Sequence, residues 1–211
     1  MNKQRIVILS PFLIIAVNFG IAFLFGNSIG KWAFVPMISL GWILWLFFII
    51  KYGGKEAIQG WLQATTGKVG WKIGAVLIGL LPLPLFLFHY NTLSDYTIWL
   101  PWILIALINP WIEEFYWRGL LLDHTKKWAN WTAVLYSSVL FAVNHAAFGI
   151  NSKLNSGFEI VISTFIMGIV WGFIYQKTKS LRWTIVAHFL VDFLGLSAAA
   201  FLDMWEKGSW S

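Results

Sequence analysis

"NPWIEEFYWRGLLL", residues 109–122, sets Glu113, Glu114 and Arg118 inside a run of residues otherwise suited to lipid. The apolar run around it, 97–122, is long enough to cross about 30 Å of hydrocarbon as a helix. Three unpaired charges at the centre of such a helix would cost roughly 8 to 10 kcal/mol on insertion scales, so pairing must offset part of that cost. Glu114 and Arg118 are four residues apart, on one helical face, in the order that favours an internal ion pair. Glu113 points about 100° away from Glu114 and needs its own partner or a proton. That makes it the candidate acid or base, although rotation of the helix about its axis would exchange the roles of the two glutamates.

The rest of the chain is equally apolar. Of 211 residues 59% are hydrophobic and 11% charged, with a mean hydropathy of +0.72, whereas soluble domains carry about 25% charge. This predicts an all-α, polytopic transmembrane bundle forming one integral membrane domain over 1–211, with no room for a separate soluble domain. The net charge of +6 is spread between apolar runs rather than gathered on one face, which argues against nucleic acid as a partner. The absence of cysteine excludes disulfides, thiolate metal sites and a cysteine nucleophile. Fifteen tryptophans and eighteen phenylalanines suit interfacial belts and helix packing in lipid.

Apolar runs near 6–26, 33–50, 71–89, 97–122, 131–149, 158–176 and 183–202 predict about seven spanning helices. The first follows "MNKQR" but lacks a small-residue exit site, so it reads as an uncleaved anchor. Residues 55–71 present Ile58, Trp61, Leu62 and Thr65 on one helical face, which suits an interfacial helix, with an irregular loop as the alternative. Placing the amino terminus in the cytoplasm puts Lys3, Arg5, Lys51, Lys55, Lys68, Lys72, Lys126, Lys127, Lys177, Lys179 and Arg182 inside, against Lys31, Lys153 and Lys207 outside. That bias predicts an inside amino terminus and, with seven spans, an outside carboxyl terminus.

Two later runs each carry a polar stripe at helical spacing: Phe141 with His145 in "FAVNHAAF", and His188 with Asp192 in "AHFLVDF". Glu113 and His145 are equally far from residue 129, so antiparallel helices would set them at one depth. His188 follows Arg182 by six residues, about 9 Å along a helix. The expected site is a cavity in the cytoplasmic half of the bilayer holding Glu113, His145, His188 and Asp192, with Glu114 and Arg118 behind. Asn109 and Pro110 are expected to break or bend the helix just ahead of Glu113. His89 and His124 read as interfacial or packing residues.

In order, "EEFYWR", "FAVNH" and "HFLVD" resemble the motifs EExxxR, FxxxH and HxxxN/D of the CPBP family of intramembrane proteases, also called the CAAX-protease or Abi family. The resemblance covers about 97–202. It implies an endopeptidase in which Glu113 is the general base and His145 orients the attacking water. His188 with Asp192 would stabilise the oxyanion, and Glu114, Arg118 and Phe141 would support the site. An ionised Asp192 would repel an oxyanion, so it either donates as an acid or holds the His188 ring as a donor. The mechanism needs no cofactor; zinc or another divalent cation held by His145, His188 and Glu113 is the alternative. The partners implied are a peptide or small protein substrate reached at the lipid bilayer, in a bacterial cell membrane, with bacteriocin maturation, immunity or peptide signalling as contexts. Intramembrane Glu, His and Asp also suit a proton or metal transporter, or a non-catalytic immunity or scaffold protein.

Overall fold

Spacing and capping shape the helices seen in the computed structural model, which describes residues 2–209. α1 (Lys3–Ile29) starts where the Asn2 side chain accepts a hydrogen bond from the Gln4 N–H and stops at Gly30, whose φ of 57° turns the chain back. α2 (Phe34–Phe48) returns alongside it and ends in a π-helical turn, Ile49–Gly53. Gly54, at φ 80°, swings the chain into the short amphipathic α3 (Gly54–Trp61). α4 (Val69–Gly79) and α5 (Leu83–His89) meet at Pro82. α6 (Trp99–Glu114) continues through a second π turn, Phe115–Leu120, into α7 (Leu121–His124). α8 (Asn130–Ala146), α9 (Phe158–Thr178), α10 (Arg182–Leu194) and α11 (Ser197–Phe201) complete an all-helical bundle with no strand among the described residues.

Five helical stretches are long and apolar enough to cross a membrane: Lys3–Trp61, Val69–Ser94, Tyr96–His124, Asn130–Ile150 and Phe158–Thr178. The first of these contains both α1 and α2, and so two of the seven apolar runs. The last run, 183–202, is broken: α10 has 13 residues, about 20 Å, and the chain turns at Leu196, whose φ is 48°. The helix expected over 55–71 ends at Trp61, because Trp61 turns inward and the chain beyond it bonds to the α9–α10 turn instead of to itself. Leu181 N–H donates to the Trp61 carbonyl at 2.8 Å, Ser180 Oγ to that of Gln63 at 2.8 Å and Arg182 Nε to that of Leu62 at 2.7 Å.

Small residues let α8 and α9 approach closely, the usual device where lipid supplies no hydrophobic drive between helices. A Cβ on Gly168 would lie 2.9 Å from Ser138 Cβ, and one on Gly172 would lie 2.9 Å from Val134 Cγ1. One buried cluster, including Trp45, Trp61, Tyr116, Trp117, Leu120 and Trp171, fills the lysine-rich end; a second, including Phe34, Met37, Ile98, Trp102 and Leu196, fills the other. The lysine-poor end is tied by Asp203, which accepts from Ser152 Oγ at 2.7 Å, Leu154 N at 2.8 Å and Lys153 N at 3.0 Å and pairs with Lys31 at 3.0 Å. Partial burial pushes the Asp203 carboxyl up, but these donors together outweigh it and hold the group at about 2.

Candidate active site

α6 runs through Asn109 and Pro110 as one helix, so of the expected break or bend there is no break. Proline removes one backbone hydrogen bond, but the Asn109 side chain clamps the helix there. Its Oδ1 accepts from Trp42 Nε1 at 2.9 Å and its Nδ2 donates to Asp192 Oδ2 at 3.2 Å. The departure from α geometry comes after the glutamates, where Leu121 N–H reaches the Tyr116 carbonyl five residues back. Such π turns often sit at functional sites.

Glu114 is committed to its neighbours through one oxygen, while its Oε2 is buried without a hydrogen-bond partner among the described residues. Its Oε1 accepts from Arg118 Nη1 at 2.9 Å and from His188 Nδ1 at 3.0 Å, and all three side chains are buried. The guanidinium face is covered by aromatic rings, 4.1 Å from the Phe141 centroid and 5.2 Å from that of Trp171. Trp171 also stacks on the His188 ring at 4.8 Å, with 27° between the planes. The His188 imidazole is thereby fixed in both position and orientation, with Nδ1 as the donor to a carboxylate.

Its other nitrogen looks toward the remaining carboxylates. His188 Nε2 lies 3.5 Å from Glu113 Oε2 and 3.7 Å from Asp192 Oδ2. Glu113 Oε2 is buried and has no hydrogen-bond partner among the described residues. His145 Nδ1 is 2.8 Å from the Phe141 carbonyl. A carbonyl only accepts, so Nδ1 carries the proton and Nε2 keeps a free lone pair. Glu113, His145, His188 and Asp192 all border one cavity of about 560 Å³, joined there by Asn109. The cavity walls are largely apolar, with Met37, Ile38, Leu85, Ile105, Phe148 and Phe201 among them. Glu114 and Arg118 are not among its lining residues, so Glu113 faces the cavity and Glu114 is packed behind.

Glu113 lies nearer the lysine-rich end of its helical stretch Tyr96–His124 and His145 nearer the lysine-poor end of α8, so the cavity reaches across the middle of the bundle. Glu113 is eleven residues from the lysine-rich end of its helical stretch at His124, about 16 Å, and His145 is fifteen residues from the start of α8, about 22 Å. α10 begins at the exposed Arg182 and reaches His188 six residues later. Residues 61–63 are bonded across the turn that precedes it.

This chain carries an ordered set of acid, histidine and histidine–aspartate on three membrane helices around one cavity. Residues 94–194 match the family model of the Rce1-like type II CAAX prenyl endopeptidases. The match bears out the resemblance to the CPBP, or CAAX-protease, family. Neither a curated protein nor a solved structure matches the chain. The match to this protease family over 94–194, with the apolar helices, suggests an integral membrane protein with intramembrane endopeptidase activity on a peptide substrate.

Among the described residues no three His, Asp or Glu side chains are grouped so as to hold a metal ion. His188 Nδ1 is occupied by Glu114 and His145 Nδ1 by a backbone carbonyl, and the His145 ring leans on Phe141 at 4.3 Å. Phe141 also supports Arg118, which explains an aromatic four residues before the histidine. Outside the site, His89 stacks on Trp205 at 4.8 Å and His124 Nδ1 contacts the Leu120 carbonyl at 2.9 Å.

Sequence reasoning missed Trp171, Trp42 and the role of Asn109. Trp171 is one of fifteen tryptophans and nothing marks it; the glycines at 168 and 172, flanking it one turn apart on α9, were the available signal of close packing.

Proposed function

We propose that the chain is a metal-free intramembrane endopeptidase of glutamate type. The observation that carries this reading is the buried, hydrogen-bond-free Oε2 of Glu113 in the wall of a cavity it shares with the bare Nε2 of His145. A water between them loses its proton to Glu113 while its second hydrogen points to His145 Nε2. The hydroxide attacks the peptide carbonyl carbon, and negative charge develops on the carbonyl oxygen. His188 donates from Nε2 to that oxygen, its ring held by the Glu114 carboxylate on Nδ1 and by Trp171 on its face. A preorganised donor of this kind contributes about 2.7 to 4 kcal/mol to transition-state stabilisation. Glu113 then returns its proton to the leaving nitrogen as the C–N bond breaks, and no covalent intermediate forms.

Asp192 acts as an acceptor. Its Oδ2 takes the Asn109 N–H and lies 3.7 Å from His188 Nε2, an arrangement that supports holding the imidazole as a donor rather than meeting the oxyanion directly. The test is cleavage of a mixture of apolar peptides by detergent-purified protein, read by mass spectrometry. Cleavage by the wild type that persists with chelator and is lost in both Glu113→Gln and His145→Ala is the expected result. Activity abolished by chelator and restored by zinc would overturn the metal-free mechanism, and cleavage retained in Glu113→Gln would overturn the assignment of the base.

A further inference from the structure

α1 and α2 lie outside the family match over 94–194, yet side chains of both border the cavity: Asn18 from the first, Met37, Ile38 and Trp45 from the second. Asn18 stands in an otherwise apolar stretch, "IIAVNFG", residues 14–20. An amide inside a membrane helix is costly and marks either a bond between helices or a site.

Asn18 does the first only in part. Its Nδ2 donates to Asn144 Oδ1 at 2.7 Å, which sets it at the depth of His145, the next residue of α8. Two facing amides can exchange two hydrogen bonds, but only this one is made. Asn18 Oδ1 and Asn144 Nδ2 are both buried without a partner among the described residues, and Asn18 is 2% exposed.

α2 brings the complementary group. Trp45 is 3% exposed, and its Nε1 has no acceptor among the described residues. Gly41, one turn before Trp45, lies between the two side chains: a Cβ there would be 3.3 Å from the Trp45 ring and 3.7 Å from Asn18 Oδ1. An acceptor and a donor without partners therefore belong to neighbouring side chains on one stretch of cavity wall. Trp171 Nε1 and Ser197 Oγ are also unpartnered on lining residues, but they come from α9 and α11.

We propose that Asn18 and Trp45 form a subsite for the main chain of the substrate, in which Asn18 Oδ1 accepts a peptide N–H and Trp45 Nε1 donates to a peptide carbonyl. Each residue of a peptide other than proline carries this donor and this acceptor, so the subsite holds a peptide whatever its side chains. A helix already uses its own N–H groups, so the segment held there is extended. The subsite rests on the endopeptidase reading for the word substrate, but its preference for a backbone N–H is measured without turnover.

The test is calorimetric titration of the detergent-purified full chain with acetyl-leucyl-leucine methylamide and with three analogues, each with one N–H replaced by an ester oxygen. Wild type is expected to bind one analogue about two- to tenfold more weakly than the parent, the effect of one hydrogen bond. Asn18→Leu should bind that analogue and the parent alike, and Asn18→Asp, which keeps an acceptor oxygen in the same place, should restore the preference. Trp45→Phe should bind the parent more weakly by a similar factor and keep the preference. A side chain that only braces α1 against α8 would not distinguish N–H from ester oxygen. Failure of wild type to bind the parent, equal binding of the parent and all three analogues, a preference that survives in Asn18→Leu, or unchanged binding by Trp45→Phe overturns the proposal. Should Asn18→Leu fail to fold, the wild-type comparison and Trp45→Phe decide. A chain that cleaves no peptide yet shows the preference would refute the endopeptidase reading and leave the backbone subsite intact.

Discussion

Replacing Glu113 and Glu114 by glutamine, one at a time, separates chemistry from support at adjacent positions. Glu113 Oε2 makes no hydrogen bond among the described residues and faces His188 Nε2 at 3.5 Å, so Glu113→Gln removes a charge on which no hydrogen bond of the fold depends. Its unfolding stability should stay within about 1 kcal/mol of wild type. Cleavage should fall by about 10² to 10⁴, the span associated with a lost general acid–base group. Glu114→Gln does the opposite. It leaves the Arg118 guanidinium, 1% exposed, without the carboxylate that meets it at 2.9 Å, and weakens the acceptor that holds His188 at 3.0 Å. Breaking a buried pair by removing one partner costs about 3 to 5 kcal/mol. At about 2 to 4 °C per kcal/mol for a chain of this size, the midpoint of thermal unfolding should drop by about 6 to 20 °C. Any folded fraction should keep a reduced rate, because His188 is loosened but Glu113 is present. Unfolding followed in detergent by tryptophan fluorescence, with peptide cleavage on the same samples, reads both effects. A stable, fully active Glu114→Gln, or a Glu113→Gln that unfolds early, would refute the division of roles.

Three further outcomes follow from the geometry. Asn109→Ala removes the amide that links Trp42 to Asp192, and should lower kcat about tenfold with KM little changed; Trp42→Phe should move kcat the same way by less, and a change confined to KM would count against a positioning role. Asp203 is held at about 2, below the usual 3.8, so its contribution is fully present above about pH 4 and disappears as pH falls through 2. That contribution is at most about 2 kcal/mol, reduced by solvent around Lys31, and an acid-unfolding comparison with Asp203→Asn should show the variant losing this pH dependence. Gly168→Ala would push a Cβ to 2.9 Å from Ser138 Cβ and 3.0 Å from its Cα, whereas Gly172→Ala meets only the end of a valine side chain. Gly168→Ala should therefore be the more destabilising, by about 1 to 3 kcal/mol in denaturant unfolding.

The helical bundle was legible because lipid demands long apolar runs, and the three polar stripes stand out against them. That His145, His188 and Asp192 meet Glu113 at one cavity follows from spacing that places each on an inward face. The strap of residues 61–63 on the α9–α10 turn was not legible, since it joins segments about 120 positions apart. The hold on Asn109 by Trp42 and Asp192, from two other helices, was not legible for a related reason: it joins positions far apart in the chain. Trp171 was invisible because an aromatic in a greasy helix carries no pattern until its neighbours are known.

The π turn at Phe115–Leu120 has a consequence for how the site tolerates insertion and deletion. It accommodates one residue more than an α-helical turn would, and the segment beyond it is pinned by Trp61 against Gly119. Removing a single residue from 115–117 is absorbed when the wide turn closes to an ordinary α-helical one, which keeps the helix upstream in phase with that anchor. Glu113 would keep its direction, whereas removing a second residue would turn everything upstream by about 100° and bring Ile112 to the cavity. The wide turn is thus one residue of slack between the anchor and the glutamate that faces the cavity.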